Sequence, residues 1–389
     1  MKKILMVIAQ YYPIIGGAEV QAKQISEFLS KNGFSVFVIT TRRNLFMKSF
    51  EKINNVEIFR LRVLRIPKLG KYILLFYEFF YLMFKGKNFD IFHCHQGLGF
   101  SAISVGVAKI LKKPAILKIS NSGEKFDFHI LKETYLIGFI LVKILKSADK
   151  IIYLNEKMKK ELIKEKVKED KLLKIPNGVD TNKFKFIPYE EKPKYKKSIK
   201  INPEVPIIIY IGTLQKKKNP YMLLKISKKL LDKKRNFTLI IVGDGPERKN
   251  METLSKNMKI EKNILFYGRK ESIEEFLFAS DIFILPSFVE GISNSLLEAG
   301  SCGLPCVASD IHGNREVIEN GINGFLISSA DTDGFVNAIE KLLTNKEFLI
   351  KMGKENRKKI VENYSIDRIV EKYIALYNNL ISKSIIKQN

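Results

Sequence analysis

The chain has 389 residues, which predicts about two or three domains. Because 46% of the residues are hydrophobic and 11% are aromatic, the chain can bury large cores, which excludes a mainly disordered or fibrous protein. The 67 Lys and Arg residues outnumber the 41 Asp and Glu residues, and the net charge of +26 favours anionic partners such as nucleic acid, acidic lipid headgroups or phosphorylated ligands.

Short apolar runs alternate with amphipathic stretches from one end of the chain to the other. The predicted strands of the first half are residues 4–9, 35–40, 91–94, 114–119 and 150–155. Those of the second half are residues 207–212, 237–243, 264–268, 282–285, 306–309 and 325–327. Helical patterns lie between them, for example at residues 18–32, 221–232 and 333–344. This alternation predicts an α/β protein with two doubly wound, Rossmann-like domains built on parallel sheets.

The domain boundary is predicted at residues 175–180 and in the polar stretch that follows to Pro206. We assign residues 1–180 to a first domain and residues 181–365 to a second, with residues 366–389 as a C-terminal helix that is a candidate for packing back on the first domain. In parallel sheets, ligands bind beyond the carboxyl ends of the strands. We therefore expect the two domains to face each other across a cleft, with functional residues in the loops that follow strands.

The cysteines indicate the redox environment of the chain, and the length of the apolar runs indicates whether it spans a membrane. Three cysteines, Cys94, Cys302 and Cys306, cannot form a disulfide framework, so a reducing cytoplasm is expected. Residues 302 and 306 have no second Cys or His pair nearby, which argues against a zinc site. The longest apolar stretch, residues 72–84, contains Glu78 and is shorter than the roughly 20 residues of a spanning helix. No transmembrane span is predicted.

The strongest candidate site follows the predicted strand 282–285. Pro286 and Gly291 place Glu290 in a loop, with Glu298 one turn into the next helix. The first-turn amides of that helix are unpaired, and such a helix end attracts phosphate and hydroxyl oxygens. From spacing alone, however, a turn residue and a solvated helix carboxylate explain the two glutamates better.

Residues 287–309, with Glu290 and Glu298 separated by seven residues, resemble the Glu-x7-Glu signature of retaining, GT-B-fold glycosyltransferases of family 4. Further landmarks of the family occur in the family's order over nearly the whole chain: Gly16-Gly17-Ala18-Glu19, residues 90–95 (DIFHCH), residues 176–180 (PNGVD), Gly212 with Lys218, residues 242–247 (VGDGPE), residues 266–268 (FYG) and Glu316 with Gly324-Phe325. Together these motifs make the functional interpretation of the two glutamates the better one.

The resemblance implies transfer of a sugar from a nucleotide diphosphate donor with retention of the anomeric configuration, the donor on the second domain and the acceptor on the first. Glu290 and Lys218 are the implied catalytic residues. Glu298 is implied to hold the ribose. The other implied donor contacts are the amides of Gly291, Ile292 and Ser293, residues Asn294 and Ser295 beside the diphosphate, Gly243 and Arg269 near the base, and the loops of Gly212 and of Gly16-Gly17.

Positioned cations are one way to stabilise the charge that builds on a leaving diphosphate, and Lys218 matches the family's phosphate-binding lysine. Asp331-Thr-Asp333 resembles a metal-binding Asp-x-Asp motif, but it precedes a helix, where N-capping explains it better. We therefore expect neither a metal nor another cofactor. The family usually has Arg where this chain has Thr213; Lys216 or Lys217 either replaces that charge or is simply solvated.

The first domain departs from the family. Family members often carry an active-site His after the strand that matches residues 114–119, whereas this chain continues with Ser120 to Glu124. The acceptor-side candidates are Glu19, His95, Asn121 and Glu124. His93 and His95 point to one face of a strand. A metal pair is conceivable there, but polar residues at a strand end explain the two histidines better.

The stretch from Arg60 to Lys87 mixes basic and aromatic residues, which fits either an interfacial helix on an anionic membrane or a core helix with solvated flanks. The first option implies a peripheral enzyme at the inner face of the plasma membrane. Its acceptor would then be a lipid-linked saccharide, as in surface polysaccharide synthesis.

Two other functions stay open. The charge suggests a nucleic-acid-binding protein, although no Arg-rich recognition helix or RNP-type motif occurs and no specific nucleic acid is expected. A noncatalytic GT-B partner subunit is the third option, suggested by Thr213 and the missing His. Among donors, family precedent favours UDP over GDP, with a hexosyl or N-acetylhexosaminyl group transferred.

Overall fold

A computed structural model describes residues 1–14, 16–44, 46–64, 66–67, 69–123 and 126–386. The chain divides into two compact units: unit 1 is Met1–Asn177 together with Ile366–Asn389, and unit 2 is Gly178–Ser365. The units meet in sequence slightly before the predicted boundary at residue 180. Val179 belongs to unit 2 because its amide donates to the carbonyl of Tyr364 at 2.9 Å and it forms a β-bridge with Ser365.

Unit 1 is built on one sheet flanked by helices. Its strands are β1 (Lys3–Val7), β2 (Ser35–Arg42), β3 (Phe50–Ile53), β4 (Val56–Arg62), β5 (Ile91–His95), β6 (Ala115–Lys118), β7 (Lys150–Tyr153) and β8 (Leu172–Lys174). Its helices before the unit boundary are α1 (Gly17–Lys31), α2 (Gly70–Lys85), α3 (Gly99–Ile110), α4 (Asp127–Thr134), α5 (Gly138–Lys146) and α6 (Glu156–Lys164). The strand order is β3-β4-β2-β1-β5-β6-β7-β8, and every pair is parallel except β3–β4.

Unit 2 repeats the plan with a smaller, fully parallel sheet in the order β11-β10-β9-β12-β13-β14. Its strands are β9 (Ile207–Ile211), β10 (Thr238–Val242), β11 (Ile264–Gly268), β12 (Ile282–Leu285), β13 (Cys306–Ser309) and β14 (Gly324–Ile327). Its helices are α7 (Lys192–Ser198), α8 (Tyr221–Asp232), α9 (Arg248–Asn257), α10 (Glu274–Ala279), α11 (Asn294–Ser301), α12 (His312–Arg315), α13 (Thr332–Thr344) and α14 (Lys346–Tyr364). In the two units together, short 3-10 helices cover Gly86–Asn88, Glu169–Lys171, Tyr189–Glu191, Lys216–Lys218 and Glu261–Asn263. The predicted α/β class is confirmed in both units.

The last helix, α15 (Ile366–Ile386), belongs to unit 1. Its buried stripe, which includes Ile369 and Tyr373, packs with Ile4 and Met6 of β1 in one hydrophobic core. A fully buried aliphatic or aromatic side chain contributes about 1.5–3 kcal/mol, so this stripe fixes the helix on the sheet. The packing places two tyrosines of α15 over the centre of the unit 1 sheet.

The hairpin β3–β4 corrects the interpretation of residues 60–87 as one basic, aromatic helix. Arg60 lies in β4, is buried, and pairs with Glu51 of β3 at 2.5 Å. Only Gly70–Lys85 of that stretch is helical. Within the part of the chain that the structure describes, no helix has both the length and the apolar character needed to cross a membrane.

Candidate functional site

The predicted donor residues of unit 2 gather where the strands β9, β10, β11 and β12 end. Gly212 follows β9, Gly243 follows β10, and Arg269 follows β11 as an exposed residue. Glu290 lies in the loop after β12, and Glu298 lies inside α11. The sequence therefore predicted the position of each of these residues correctly. Their roles stay predictions.

The two predicted catalytic residues contact each other. The Lys218 Nζ donates to both carboxylate oxygens of Glu290, at 2.6 and 2.7 Å. Lys218 ends a 3-10 helix, and the amide of Phe288 donates to the carbonyl of Lys217 at 3.0 Å, which ties the two loops together. A charge-assisted pair of this geometry holds both side chains in place. The structure thus joins a cation and a carboxylate that are 72 residues apart in sequence.

Glycine at position 243 allows the neighbouring loops to meet. Gly243 has a φ of +149°, and a Cβ there would lie 1.9 Å from the carbonyl oxygen of Gly212. The amide of Leu214 donates to the carbonyl of Asp244 at 3.0 Å. Only a residue without a side chain permits this close backbone approach. Thr213, where the family usually has Arg, is exposed beside this contact, as are Lys216 and Lys217.

The loop that carries Glu290 packs against α12 and leads into α11. A Cβ on Gly313 would lie 2.1 Å from the carbonyl oxygen of Gly291, so α12 packs directly on this loop. Ile292 is buried, Ser293 is the N-cap residue of α11, and its hydroxyl lies 3.0 Å from that of Ser295. Asn294 is the first helical residue. These contacts hold the start of α11 beside the Glu290–Lys218 pair.

Glu298 differs from a solvated helix carboxylate, which was the simpler interpretation of its spacing. Its side chain is buried, and that burial raises the pKa of Glu298 to about 7. The Lys183 ammonium lowers that pKa and the Glu274 carboxylate raises it; these two side chains form an ion pair at 2.7 Å. Burial therefore shifts the Glu298 carboxyl group toward its neutral form.

The Asp-x-Asp segment caps a helix, as predicted. Asp331 is the N-cap residue of α13, and its Oδ1 accepts from the amide of Gly334 at 2.8 Å. Asp333 forms an ion pair with Lys229 at 2.6 Å. Both carboxylates thus have structural partners.

In unit 1, the Gly16-Gly17 segment begins α1 as predicted. Gly16 is the N-cap residue, and a Cβ there would lie 2.3 Å from the Glu19 Oε2. Glycine therefore leaves room for the Glu19 carboxylate at this helix end. Glu19 is largely buried, and burial raises its pKa.

His93 and the acceptor-side candidate His95 form a buried polar cluster with Lys118, which was not predicted from the sequence, at the carboxyl ends of β5 and β6. The rings of His93 and His95 stack at 4.3 Å, and His95 pairs in register with Lys118. The His93 Nδ1 lies 2.7 Å from the hydroxyl of Tyr377 on α15. We call His93, His95, Lys118 and Tyr373 the buried cluster.

Four polar atoms of the buried cluster have no hydrogen-bond partner among the described residues: Nε2 of His93, Nε2 of His95, Nζ of Lys118 and the hydroxyl of Tyr373. Burial lowers the pKa of Lys118 to about 7 and that of His93 to about 3, and it also lowers the pKa of His95. Burial therefore shifts all three side chains toward their uncharged forms. The sequence indicates this cluster only through Lys118, a single lysine inside the apolar run 114–119.

The loop that replaces the family's histidine is held by Asp127, which the sequence analysis also missed. The buried Asp127 carboxylate accepts from Asn121 Nδ2 at 2.7 Å, from the amide of Gly97 at 2.8 Å and from that of Ser120 at 3.1 Å. Asn121 is thus fixed at the end of β6. Glu124, the remaining acceptor-side candidate, lies outside the described residues.

Comparison with known proteins gives the family. A model described as "Glycosyltransferase Family 4" matches residues 15–183, and one described as "Glycosyl transferases group 1" matches residues 191–359. The chain is 29% identical over 390 residues to the UDP-Gal:alpha-D-GlcNAc-diphosphoundecaprenol alpha-1,3-galactosyltransferase of Escherichia coli, with 97% of this chain and 98% of that protein covered. It is 31% identical over 255 residues to an uncharacterized glycosyltransferase of Haemophilus influenzae, covering 63% of this chain and 68% of the relative.

The fold also matches solved structures. The Anabaena protein Alr3699/HepE, solved in complex with UDP and glucose, superposes with a TM-score of 0.80 at 18% identity, over 97% of this chain and all of that one. A sucrose-phosphate synthase from Thermosynechococcus elongatus gives a TM-score of 0.81 at 19% identity, over 98% and 100% of the two chains. The chain has the GT-B fold and belongs to the family 4 glycosyltransferases, enzymes that transfer a sugar from a donor to an acceptor.

Proposed function

We propose that this enzyme transfers a hexosyl or N-acetylhexosaminyl group from a UDP-sugar to a lipid-linked saccharide, with retention of the anomeric configuration. The observation that carries the proposal is the Lys218–Glu290 pair beside the start of α11. One fixed cation, a carboxylate and a helix N-terminus lie together where β9 to β12 end, which we call the ligand edge of unit 2. A nucleotide diphosphate and a sugar need complementary groups of these kinds.

Each group has a chemical task in this proposal. The Lys218 ammonium and the first amides of α11 stabilise the negative charge that develops on the diphosphate as its bond to the sugar breaks. Glu290 accepts hydrogen bonds from donor sugar hydroxyls and keeps Lys218 oriented. Glu298, with its pKa near 7, accepts hydrogen bonds from the ribose. Arg269 and the Gly212–Gly243 contact border the nucleotide base.

We also propose that transfer needs no metal ion. The charge that a divalent cation would supply at the diphosphate is assigned to Lys218. Asp331 and Asp333, the residues with Asp-x-Asp spacing, are engaged in a helix cap and an ion pair. Turnover in excess EDTA tests this point: full activity supports it, and a loss restored by Mg²⁺ or Mn²⁺ contradicts it.

The donor and acceptor assignments are supported by names of similar proteins. The E. coli relative, similar over nearly its whole length, is named for UDP-galactose and an undecaprenol-linked acceptor. The HepE structure is titled as a complex with UDP and glucose. By this analogy the enzyme acts in surface polysaccharide synthesis, peripherally on the inner face of the plasma membrane.

Two measurements test the proposal. Thermal unfolding with UDP-, GDP- and ADP-sugars should show the largest stabilisation with a UDP-sugar, because a ligand that binds only the folded state raises its stability. The selected donor is then incubated with polyprenyl-diphosphate-linked saccharides, and NMR coupling constants of the product report the new linkage. An inverted anomer contradicts retention, and the absence of transfer with every acceptor favours the noncatalytic partner subunit.

A further inference from the structure

The helix α2 of unit 1 exposes aromatic side chains on one face while its other face is packed. Leu75 and Leu82 are buried, and Glu78 is also buried, accepting from the Ser104 hydroxyl of α3 at 2.7 Å. On the opposite side, Phe76 and Phe84 are 65% and 73% exposed. With Phe80, which is also exposed and whose ring centroid lies 4.6 Å from that of Phe76, they follow the i, i+4, i+8 spacing of one helix face. These three phenylalanines form an exposed aromatic stripe that does not contribute to the hydrophobic core.

A second exposed apolar segment lies at the entry to α5. Leu136 is 95% exposed and Phe139 is 73% exposed, with Ile137 and Ile140 exposed beside them. Leu136 directly precedes Ile137, the N-cap residue of α5. Sequence spacing alone does not connect this segment with residues 60–87.

Direct contacts join the two segments. The amide of Leu136 donates to the hydroxyl of Tyr72 on α2 at 3.1 Å, and the rings of Tyr72 and Tyr135 lie 5.7 Å apart. The Lys71 Nζ donates to the carbonyl of Thr134 and lies 4.9 Å from the Tyr135 ring. Tyr72 is one helical turn before Phe76. The apolar residues of α2 and of the segment 136–140 thus form one surface.

The exposed charges that α2 and α5 themselves carry have one sign. The only acidic residue of α2 is Glu78, which is buried, and α5 has none. The exposed lysines Lys85 and Lys143 lie in the two helices, and Lys87 follows α2. An exposed apolar stripe bordered by cations complements an anionic bilayer, because the aromatic side chains enter the acyl boundary while the ammonium groups remain at the headgroups.

We propose that Phe76, Phe80, Phe84, Leu136 and Phe139, with Lys85 and Lys143, form a docking surface for the anionic lipid bilayer. Its use in reaching a lipid-linked acceptor rests on the proposed function, but lipid binding is measurable without turnover. The full chain is mixed with vesicles of phosphatidylcholine alone or with 30% phosphatidylglycerol, and bound protein is quantified by flotation. Binding to the anionic vesicles that weakens with added salt is expected, with much weaker binding to neutral ones.

Paired variants locate the surface. Phe76→Gln/Phe84→Gln and Leu136→Gln/Phe139→Gln should each lower partitioning onto the anionic vesicles on the order of tenfold or more, because each removes two membrane-inserting side chains. Phe46→Gln is the matched control: Phe46 is 95% exposed in unit 1 but lies outside this surface, so binding should not change. Unfolding temperature and UDP-sugar binding establish that the variants are folded.

Three results would overturn the proposal. The first is equal binding to neutral vesicles, and the second is unchanged binding by both paired variants. The third is a wild-type dimer in light scattering that the paired variants convert to monomer without any lipid binding, which would make this face a contact between copies of the chain. Lipid binding without sugar transfer would retain the docking surface and contradict the proposed function. Transfer to a polyprenyl-diphosphate-linked saccharide without vesicle binding would retain the proposed function and contradict the docking surface.

Discussion

The two units place different chemistry at the same edge of similar sheets. In unit 2, the polar groups are charged and paired: Lys218 and Glu290 satisfy each other at 2.6 and 2.7 Å. In unit 1, the buried cluster holds four polar atoms without a partner among the described residues, and burial shifts its Lys118 toward the neutral form. Both units thus have a sheet edge formed by strand ends, but the burial of the polar side chains at that edge determines how much charge it carries. A charged edge suits a diphosphate, and an edge with less charge suits sugar hydroxyls.

Glu290→Ala is the most damaging change expected on the charged side of this comparison. It removes the carboxylate proposed to contact the donor sugar and leaves Lys218 without its partner, so we expect transfer to fall by about 10³-fold or more. Steady-state rates with a saturating UDP-sugar measure it. Glu319→Ala removes an exposed carboxylate of unit 2 outside the site and should change the rate by less than about twofold. Near-normal transfer by the Glu290 variant would remove that residue from the mechanism.

Lys218→Ala is expected to slow turnover by on the order of 100-fold, since one positioned cation contributes a few kcal/mol to a charged transition state. Lys218→Arg keeps the charge and should recover part of the rate. The matched control is Lys225→Ala, an exposed lysine of α8. If the alanine variants at 218 and 225 lose activity equally, the effect comes from total charge rather than from the placed ammonium group.

Glu298 should make donor binding depend on pH. Its pKa of about 7 in the free protein falls when the ionised carboxylate accepts hydrogen bonds from ribose, so binding releases a proton below pH 7. The dissociation constant of a UDP-sugar should rise up to about tenfold between pH 7 and pH 6. Calorimetry on the wild type and on Glu298→Gln checks this. A wild-type profile as flat as that of the glutamine variant would exclude the ribose contact.

The buried cluster should affect stability more than catalysis. The pKa of Lys118 is lowered from 10.5 to about 7 in the folded chain, so the unfolded chain binds more protons between these values. The free energy of unfolding contributed by this residue therefore rises with pH from about 7 to about 10.5 and is lowest below pH 7. Lys118→Met should be more stable than the wild type at pH 7, and the difference should shrink towards pH 10. Urea unfolding at both pH values measures this, with Lys225→Met as the control; a less stable variant at pH 7 would contradict the assignment.

Local patterns predicted most strands and the positions of the donor residues, because buried parallel strands are continuous apolar runs and their loops carry the polar groups. The hairpin β3–β4 was missed because β3 has only four residues and β4 buries Arg60 within its apolar pattern. Asn54 and Asn55, both at positive φ, were the overlooked turn signal.

The contacts that give the candidate site its chemistry are tertiary. The Lys218–Glu290 pair joins two loops, the pKa of Glu298 follows from its burial, and Lys118 is enclosed by α15 from the far end of the chain. Sequence spacing places such residues on strands, helices and loops, but their contacts and burial depend on how these elements pack.

The central claim is that the ligand edge of unit 2 holds a nucleotide sugar around Lys218 and Glu290. A crystal structure of the full chain soaked with UDP-sugar tests it most directly. The account predicts the diphosphate at Lys218 and the first amides of α11, the sugar at Glu290 and the ribose at Glu298. Nucleotide density at any other place in the chain, with these three side chains untouched, would contradict it.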